Sequence, residues 1–216
     1  MVRAEVRRFQ RAAEEVASTL KSQLVGETRA KIITHTDPDG ITAGNILANC
    51  LNYYDIPFHI TFTSPLSDSE IKELSEEDYE LYFFLDQGTG QISGIEKYLL
   101  EEDYKVVILD HHPGDFPDYS ELTHLNPHTY DLNGAKDVSA AGVVYSVIKE
   151  LDKKFSPLSE VAVIGALGDR QEFFSGFTGV NQEIVKQAID DGVLEARKGL
   201  KLVPRNSKIV ECSFSL

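Results

Sequence analysis

The sequence predicts an α/β fold: a mainly parallel β-sheet flanked by helices. Three observations carry this expectation. Short apolar runs alternate along the chain with longer amphipathic stretches. The joints between them are marked by Gly, Pro, Asn and Asp, the residues that turn the backbone. Carboxylates and imidazoles then cluster directly behind the apolar runs, at the strand ends where open α/β sheets hold their ligands.

In order, residues 3–24 read as an amphipathic helix, because Val6, Phe9, Ala13, Val16 and Leu20 recur at helical spacing. Its first turns carry Arg3, Arg7, Arg8 and Arg11. These read as a solvated face before they read as a nucleic-acid contact. Strand 30–35 then leads into helix 41–53, strand 57–63 into a short helix at 68–75, and strand 80–86 into helix 91–101; strand 104–110 follows. Such alternation implies βαβ units with right-handed crossovers and a parallel sheet. Residues 113–136 are loop-rich, with Pro113, Gly114, Pro117, Asn126-Pro127 and Asn133-Gly134. Helices are expected at 139–151, 157–167 and 180–191, the last closed by Gly192. The expected division is an N-terminal helix over 1–27, one domain over 28–195, and a segment over 196–216 that reads as the start of a linker to a further domain.

Composition narrows the function classes. The chain has 216 residues, of which 42% are hydrophobic, enough for a folded core. No run of about 18 apolar residues occurs, so no membrane span is expected. Two cysteines, Cys50 and Cys212, fit no zinc spacing and suit a reduced, cytoplasmic setting. The 26% charged residues, single Met and absent Trp resemble thermophile composition. The net charge of −14 argues against a broad basic surface for nucleic acid. Two divalent cations would offset about four of those charges.

The candidate site is written at four places. In His35-Thr36-Asp37-Pro38-Asp39-Gly40, alternate residues leave a strand on one side, and Gly40 permits a tight turn into the next helix. An N-cap at Asp39 with a turn at Asp37-Pro38 would explain one carboxylate but not three ligands together. Asp86, before Gln87-Gly88-Thr89-Gly90, is by itself an ordinary strand-to-helix turn. Beside the other motifs it becomes a candidate bridge between two metals. Asp110-His111-His112 offers one imidazole as ligand and one free for a phosphate or a proton, with Asp110 supporting a ligating imidazole or orienting the loop. Gly168-Asp169-Arg170 is either a helix end with a local ion pair or a ligand beside a phosphate-holding guanidinium. Carboxylates converging from several element ends repel one another, and a hard divalent cation, Mn²⁺ or Mg²⁺, explains them best. Ser139-Ala140-Ala141-Gly142 opens a helix whose free N–H groups would make a phosphate pocket. His128 could reach the site from its loop, whereas His59 and His124 read as ordinary structural residues.

These motifs resemble the DHH phosphoesterase superfamily, which holds RecJ-type single-strand exonucleases, oligoribonuclease and cyclic-dinucleotide phosphodiesterases, and a class of pyrophosphatase. The likeness runs from about residue 28 to 205. Within it, Asp39-Gly40-Ile41-Thr42-Ala43-Gly44, Gly168-Asp169-Arg170-Gln171 and Gly199-Leu200-Lys201-Leu202 are similar to archaeal RecJ-like nucleases that bind the replicative GINS complex. The resemblance implies a DHH domain with two Mn²⁺ ions, Mg²⁺ being the alternative: His35, Asp37 and Asp86 on one, Asp39, Asp86, His111 and Asp169 on the other. It implies catalytic roles for Asp37, Asp39, Asp86, His111, His112 and Asp169, a supporting role for Asp110, and phosphate contacts at His112, Arg170, Ser139 and Gly142. Family members usually continue into a smaller DHHA1-type domain with a glycine-rich GGGH-like motif, which this sequence lacks. The expected activity is therefore an exonuclease on single-stranded DNA or RNA, attached to the replication machinery. The alternatives are a replication scaffold binding GINS or helicase, and an enzyme acting on short oligonucleotides, cyclic dinucleotides or pyrophosphate.

Overall fold

The computed structural model describes residues 2–24, 28–173 and 176–195. The expected linker segment at 196–216, with Gly199-Leu200-Lys201-Leu202 and Cys212, lies outside the described residues.

The elements are α1 (Val2–Gln23), β1 (Ala30–His35), α2 (Pro38–Tyr53), β2 (Phe58–Thr63), α3 (Asp68–Ser75), β3 (Leu81–Leu85), α4 (Ile92–Ile95), β4 (Lys105–Leu109), β5 (Leu122–Leu125), α5 (Ala140–Leu151), α6 (Ser159–Gly168) and α7 (Gly179–Asp190). A π-helical turn, Glu96–Leu100, continues α4. The five strands form one sheet in the order β2-β1-β3-β4-β5. Every neighbouring pair is parallel, as the alternating sequence pattern demands.

Period-two alternation splits the strands between two apolar layers. Ile32, Phe83, Leu85, Val107 and Leu109 face a large core shared with α1, α2, α5, α6 and α7. Ile33, Tyr82, Phe84, Val106 and Ile108 face a smaller one under α3 and α4. Both faces of the sheet are therefore covered, which is why these strands read as continuous apolar runs. Helix α1 belongs to the larger core through Val6, Phe9, Ala13 and Leu20. Arg8 ties it to the body of the domain by donating to Asp131 Oδ2 (2.9 Å) and Tyr130 O (3.2 Å). That arginine has a structural partner, while Arg3, Arg7 and Arg11 are exposed.

Two features depart from the sequence reading. The loop-rich region at 113–136 contains β5, a short edge strand whose Leu125 is buried beside Leu109. Its four residues are flanked by turn formers, and the alternation is too brief to show as a pattern. The helix after β1 begins at Pro38 rather than 41, and its N-cap is Asp37, whose Oδ1 accepts the Gly40 N–H at 2.9 Å. Asp39, whose capping role is the alternative to a ligand role, does not cap the helix and is left free for another contact.

Candidate metal centre

Chain order explains where the site forms. From β1 the chain moves outward to β2, then returns to place β3 on the other side of β1. Such a reversal leaves a crevice beyond the carboxyl ends of the two central strands, the usual ligand position in open α/β sheets. His35 ends β1 and Asp86 follows β3, so they flank this crevice.

Three overlapping groups of candidate ligand atoms meet there, each with its atoms within 4.8 Å of one another: His35, Asp37 and Asp86; Asp39, His111 and Asp169; and Asp86, Asp110, His111 and His112. His35 Nδ1 lies 2.9 Å from Asp37 Oδ2 and 3.7 Å from Asp86 Oδ2. Asp86 has a left-handed backbone (φ 56°), uncommon for a residue other than glycine. Its Oδ1 lies 3.1 Å from His111 Nε2, while its buried Oδ2 has no hydrogen-bond partner. His111 Nδ1 donates to Gly134 O at 2.7 Å. That bond keeps a proton on Nδ1 and turns Nε2 towards the carboxylates, where it would ligate a cation on giving up its own proton, the usual arrangement of a metal-ligating imidazole.

Electrostatics match the geometry. Burial pushes Asp86 up to about 7, and the Asp39 and Asp37 carboxylates add to this against the His111 contact. Burial also raises Asp39, despite its hydrogen bonds. Burial alone would depress His111, but Asp86 and Asp39 overcome it and lift the imidazole to about 10. A cluster of buried carboxylates whose charge is countered this way suits a cation. The orphaned Asp86 Oδ2 and the oxygen–imidazole donor set both fit hard divalent ions such as Mn²⁺ or Mg²⁺.

Asp110 plays a different part. It is fully buried, and its Oδ1 accepts the His112 Nδ1–H (2.8 Å) and the backbone N–H of His111 (2.7 Å). Its Oδ2 accepts the Thr89 N–H at 3.1 Å. Burial opposes ionisation, but His112 and Thr89 more than offset it and hold the carboxyl down at about 2. Asp110 in turn raises His112, which remains about half exposed. Asn126 secures the same loop by donating to His112 O at 2.9 Å.

The phosphate pocket expected at Ser139–Gly142 is filled from within. Asp39 Oδ2 accepts Ala140 N–H at 2.7 Å, Asp39 Oδ1 accepts Ala141 N–H at 2.9 Å, and Ser139 Oγ accepts Gly142 N–H at 3.2 Å. The start of α5 therefore stabilises a carboxylate of the chain itself, an anion at a helix N-terminus. Arg170 is exposed with φ 57°. His128 sits beside Gly134 and joins none of the ligand groups found among the described residues. His59 is exposed, and His124 contacts Thr89 Oγ1 through Nε2 at 3.1 Å.

Sequence reasoning missed the groups that hold the ligands. Fully buried Gln171 donates through Nε2 to Asp169 Oδ2 (2.6 Å) and Gly134 O (2.8 Å). Its Oε1 accepts from Asn181 Nδ2 at 2.7 Å. One amide thus links a candidate ligand, the carbonyl behind His111 and α7. Gln171 closes the recognised string Gly168-Asp169-Arg170-Gln171, but the string assigns it no role, whereas Asn181 carried no local signal.

A parallel sheet with an acidic cluster at its switch point defines an α/β domain able to hold metal. The model of the DHH family N-terminal domain matches residues 29–168, and this chain belongs to the DHH family. An uncharacterised protein of Methanocaldococcus jannaschii is 34% identical over 182 residues, covering 81% of this chain and 40% of its own length. The chain therefore spans well under half of that relative. Among solved structures, exonuclease RecJ bound to manganese superposes with a TM-score of 0.66 at 22% identity, covering 83% of this chain and 47% of that one. RecJ from Thermus thermophilus in complex with Mn²⁺ gives 0.66 at 20% identity, covering 83% and 26%. CDC45 from Entamoeba histolytica gives 0.63 at 16% identity, covering 93% and 41%. These likenesses establish a shared RecJ-like fold. Among the described residues no helix is long and apolar enough to cross a membrane.

Proposed function

We propose that this chain carries a metal-dependent phosphodiesterase of RecJ type, acting as an exonuclease on single-stranded DNA or RNA. The observation that supports this most is Asp86: one buried carboxylate belongs to two of the ligand groups and keeps one oxygen without a partner. In this reading His35, Asp37 and Asp86 hold one ion, and Asp39, Asp86, His111 and Asp169 hold a second. Two divalent ions bound there would polarise the phosphoryl oxygens and acidify water as the nucleophile.

The side chains set up the remaining chemistry. Asp37 and Asp39 are ordered before substrate arrives, one by capping α2 and the other by the first amides of α5. Preorganised ligands need no rearrangement during the reaction. His112 is held through Nδ1 by Asp110, and its raised affinity for a proton suits protonation of the leaving oxygen or contact with the scissile phosphate. In this reading exposed Arg170 pairs with substrate phosphate, as a guanidinium does, a role that Ser139 and Gly142 do not share because their amides are already engaged.

The test is Mn²⁺-dependent release of mononucleotides from end-labelled single-stranded DNA and RNA, run beside pyrophosphate and a dinucleotide, with Asp86→Asn as control. Loss of turnover in the variant supports the reading. Full activity in the variant, or hydrolysis of pyrophosphate alone, would replace it. The charge of −14 favours a second reading, a replication scaffold docked on GINS or helicase rather than on nucleic acid. Pull-down with GINS subunits tests that independently of turnover.

A further inference from the structure

Gln87 follows Asp86 at the end of β3 and is 3% exposed. Both its amide atoms, Nε2 and Oε1, are buried without any hydrogen-bond partner. Asn and Gln amides in a folded interior are normally satisfied, and an unpaired one needs an explanation. Two polar side chains close in sequence are satisfied within the protein: Gln91 Oε1 accepts the Gly88 N–H at 2.9 Å, and Thr89 Oγ1 accepts from Asn126.

The position is also held under backbone constraint. Asp86 has φ 56° and Gly88 φ 111°, so Gln87 lies between two left-handed residues. Such conformations persist where the surrounding structure enforces them, commonly at ligand sites. Gln87 lines a cleft of about 200 Å³ together with His35, Asp86, Gly90, Asp110 and His112. Gln87 therefore contributes to the wall of the cleft at the candidate metal centre, with its unpaired amide buried behind that wall.

We propose that Gln87 is a substrate-positioning residue whose amide Nε2–H donates to a phosphate oxygen of a nucleotide in this cleft. The proposal rests on the phosphodiesterase reading above and adds a residue to it. An amide donor suits the phosphate, because the cleft wall already carries carboxylates that would repel it unless a donor intervened. An amide at this place also has no charge of its own with which to compete for the cation. Its Oε1 is left to accept from a hydroxyl or water beside the phosphate. Together these contacts would satisfy both orphaned atoms.

The experiment uses Gln87→Met, close in shape but without hydrogen-bonding atoms, and Gln87→Glu, which keeps the acceptors and lacks the donor. Thermal unfolding, Mn²⁺ binding and binding of thymidine 5′-monophosphate to the Mn²⁺-loaded chain are measured on each. A hydrogen bond to a charged partner corresponds to about 10- to 100-fold in affinity. The expected result is nucleotide binding weakened by about that factor in both variants. The Gln87→Met melting temperature should be equal or higher, because removing an unpaired buried amide relieves its desolvation. Mn²⁺ affinity should stay unchanged in Gln87→Met.

Unchanged nucleotide affinity in Gln87→Met overturns the proposal. So does a lowered melting temperature with nucleotide binding intact, which would give Gln87 a purely structural role. If the parent chain cleaves single strands and Gln87→Met cleaves them with the same KM and kcat, this inference fails while the phosphodiesterase reading stands. If the parent chain binds Mn²⁺ but neither nucleotide nor single strands, both fail together.

Discussion

Asp39 Oδ2 accepts a 2.7 Å hydrogen bond from the backbone N–H of Ala140, 101 residues further along the chain. With the Ala141 bond to Oδ1, both oxygens of one buried carboxylate rest on the first turn of α5. Asp39 therefore joins α2 to α5 while facing His111 Nε2 at 3.9 Å. Asp39→Ala should destabilise the fold by about 2–4 kcal/mol, because it orphans two buried amides and removes an anion from a helix N-terminus. Urea unfolding of the metal-free protein checks this. Asp37→Ala, which removes a cap and the partly exposed His35 contact, should cost less, about 1 kcal/mol.

Gly165 guards the same contact from α6. A Cβ there would lie 2.5 Å from Asp39 Oδ1, Thr42 Oγ1 and the Ala141 side chain. Gly165→Ala should therefore lower stability by about 1–3 kcal/mol through overpacking. It should also weaken Mn²⁺ binding, although residue 165 offers no ligand atom. Calorimetric titration with Mn²⁺ separates this from a purely local packing defect, in which metal affinity would be unaltered.

For Asp86, stability and function should move in opposite directions. Asp86→Asn relieves the repulsion among buried carboxylates, and Asn tolerates the left-handed backbone at this position. The metal-free variant should melt at the parent temperature or above. Saturating Mn²⁺, at about 100 times its Kd, should stabilise the parent by about 2.7 kcal/mol per site, about 5 kcal/mol for two ions, or roughly 10–20 °C for a chain of this size. The variant should gain under about 2 °C. Scanning calorimetry with and without Mn²⁺ reads both effects.

His124 supplies a pH dependence separate from the ligands. Burial lowers its imidazole from the ordinary 6.5 to about 4, with Asp110 opposing weakly. Below the ordinary value the unfolded chain takes up a proton that the folded chain refuses. Stability attributable to His124 is thus intact above about pH 6.5 and declines as pH falls towards 4. The loss should reach up to about 3 kcal/mol. His124→Gln should remove this component, so the difference between parent and variant unfolding free energies should change across that interval. A constant difference from pH 7 to pH 4 would contradict the assignment.

The sheet was legible because β1, β3 and β4 are buried on both faces and read as unbroken apolar runs, with their polar residues gathered at the ends. The ligand motifs were legible for the same reason: His35, Asp86 and Asp110-His111-His112 stand where those runs stop. β5 was not, since four residues at a sheet edge leave little pattern, although Leu125 locks the end of β4 just before Asp110. Partnerships across long sequence separations were hidden as well. Nothing near Asp39 signals Ala140, and nothing near Gln171 signals Gly134. The phosphate pocket expected at Ser139–Gly142 failed for that reason: its free amides look the same in sequence whether their anion is a ligand or a distant side chain.

The central claim is a pair of divalent ions sharing Asp86, and counting Mn²⁺ per chain by equilibrium dialysis tests it most directly. The parent chain should bind two ions, and Asp86→Asn should bind at most one, weakly, while remaining folded. A parent chain that binds no Mn²⁺, or a variant that still binds two with unchanged affinity, would contradict the account.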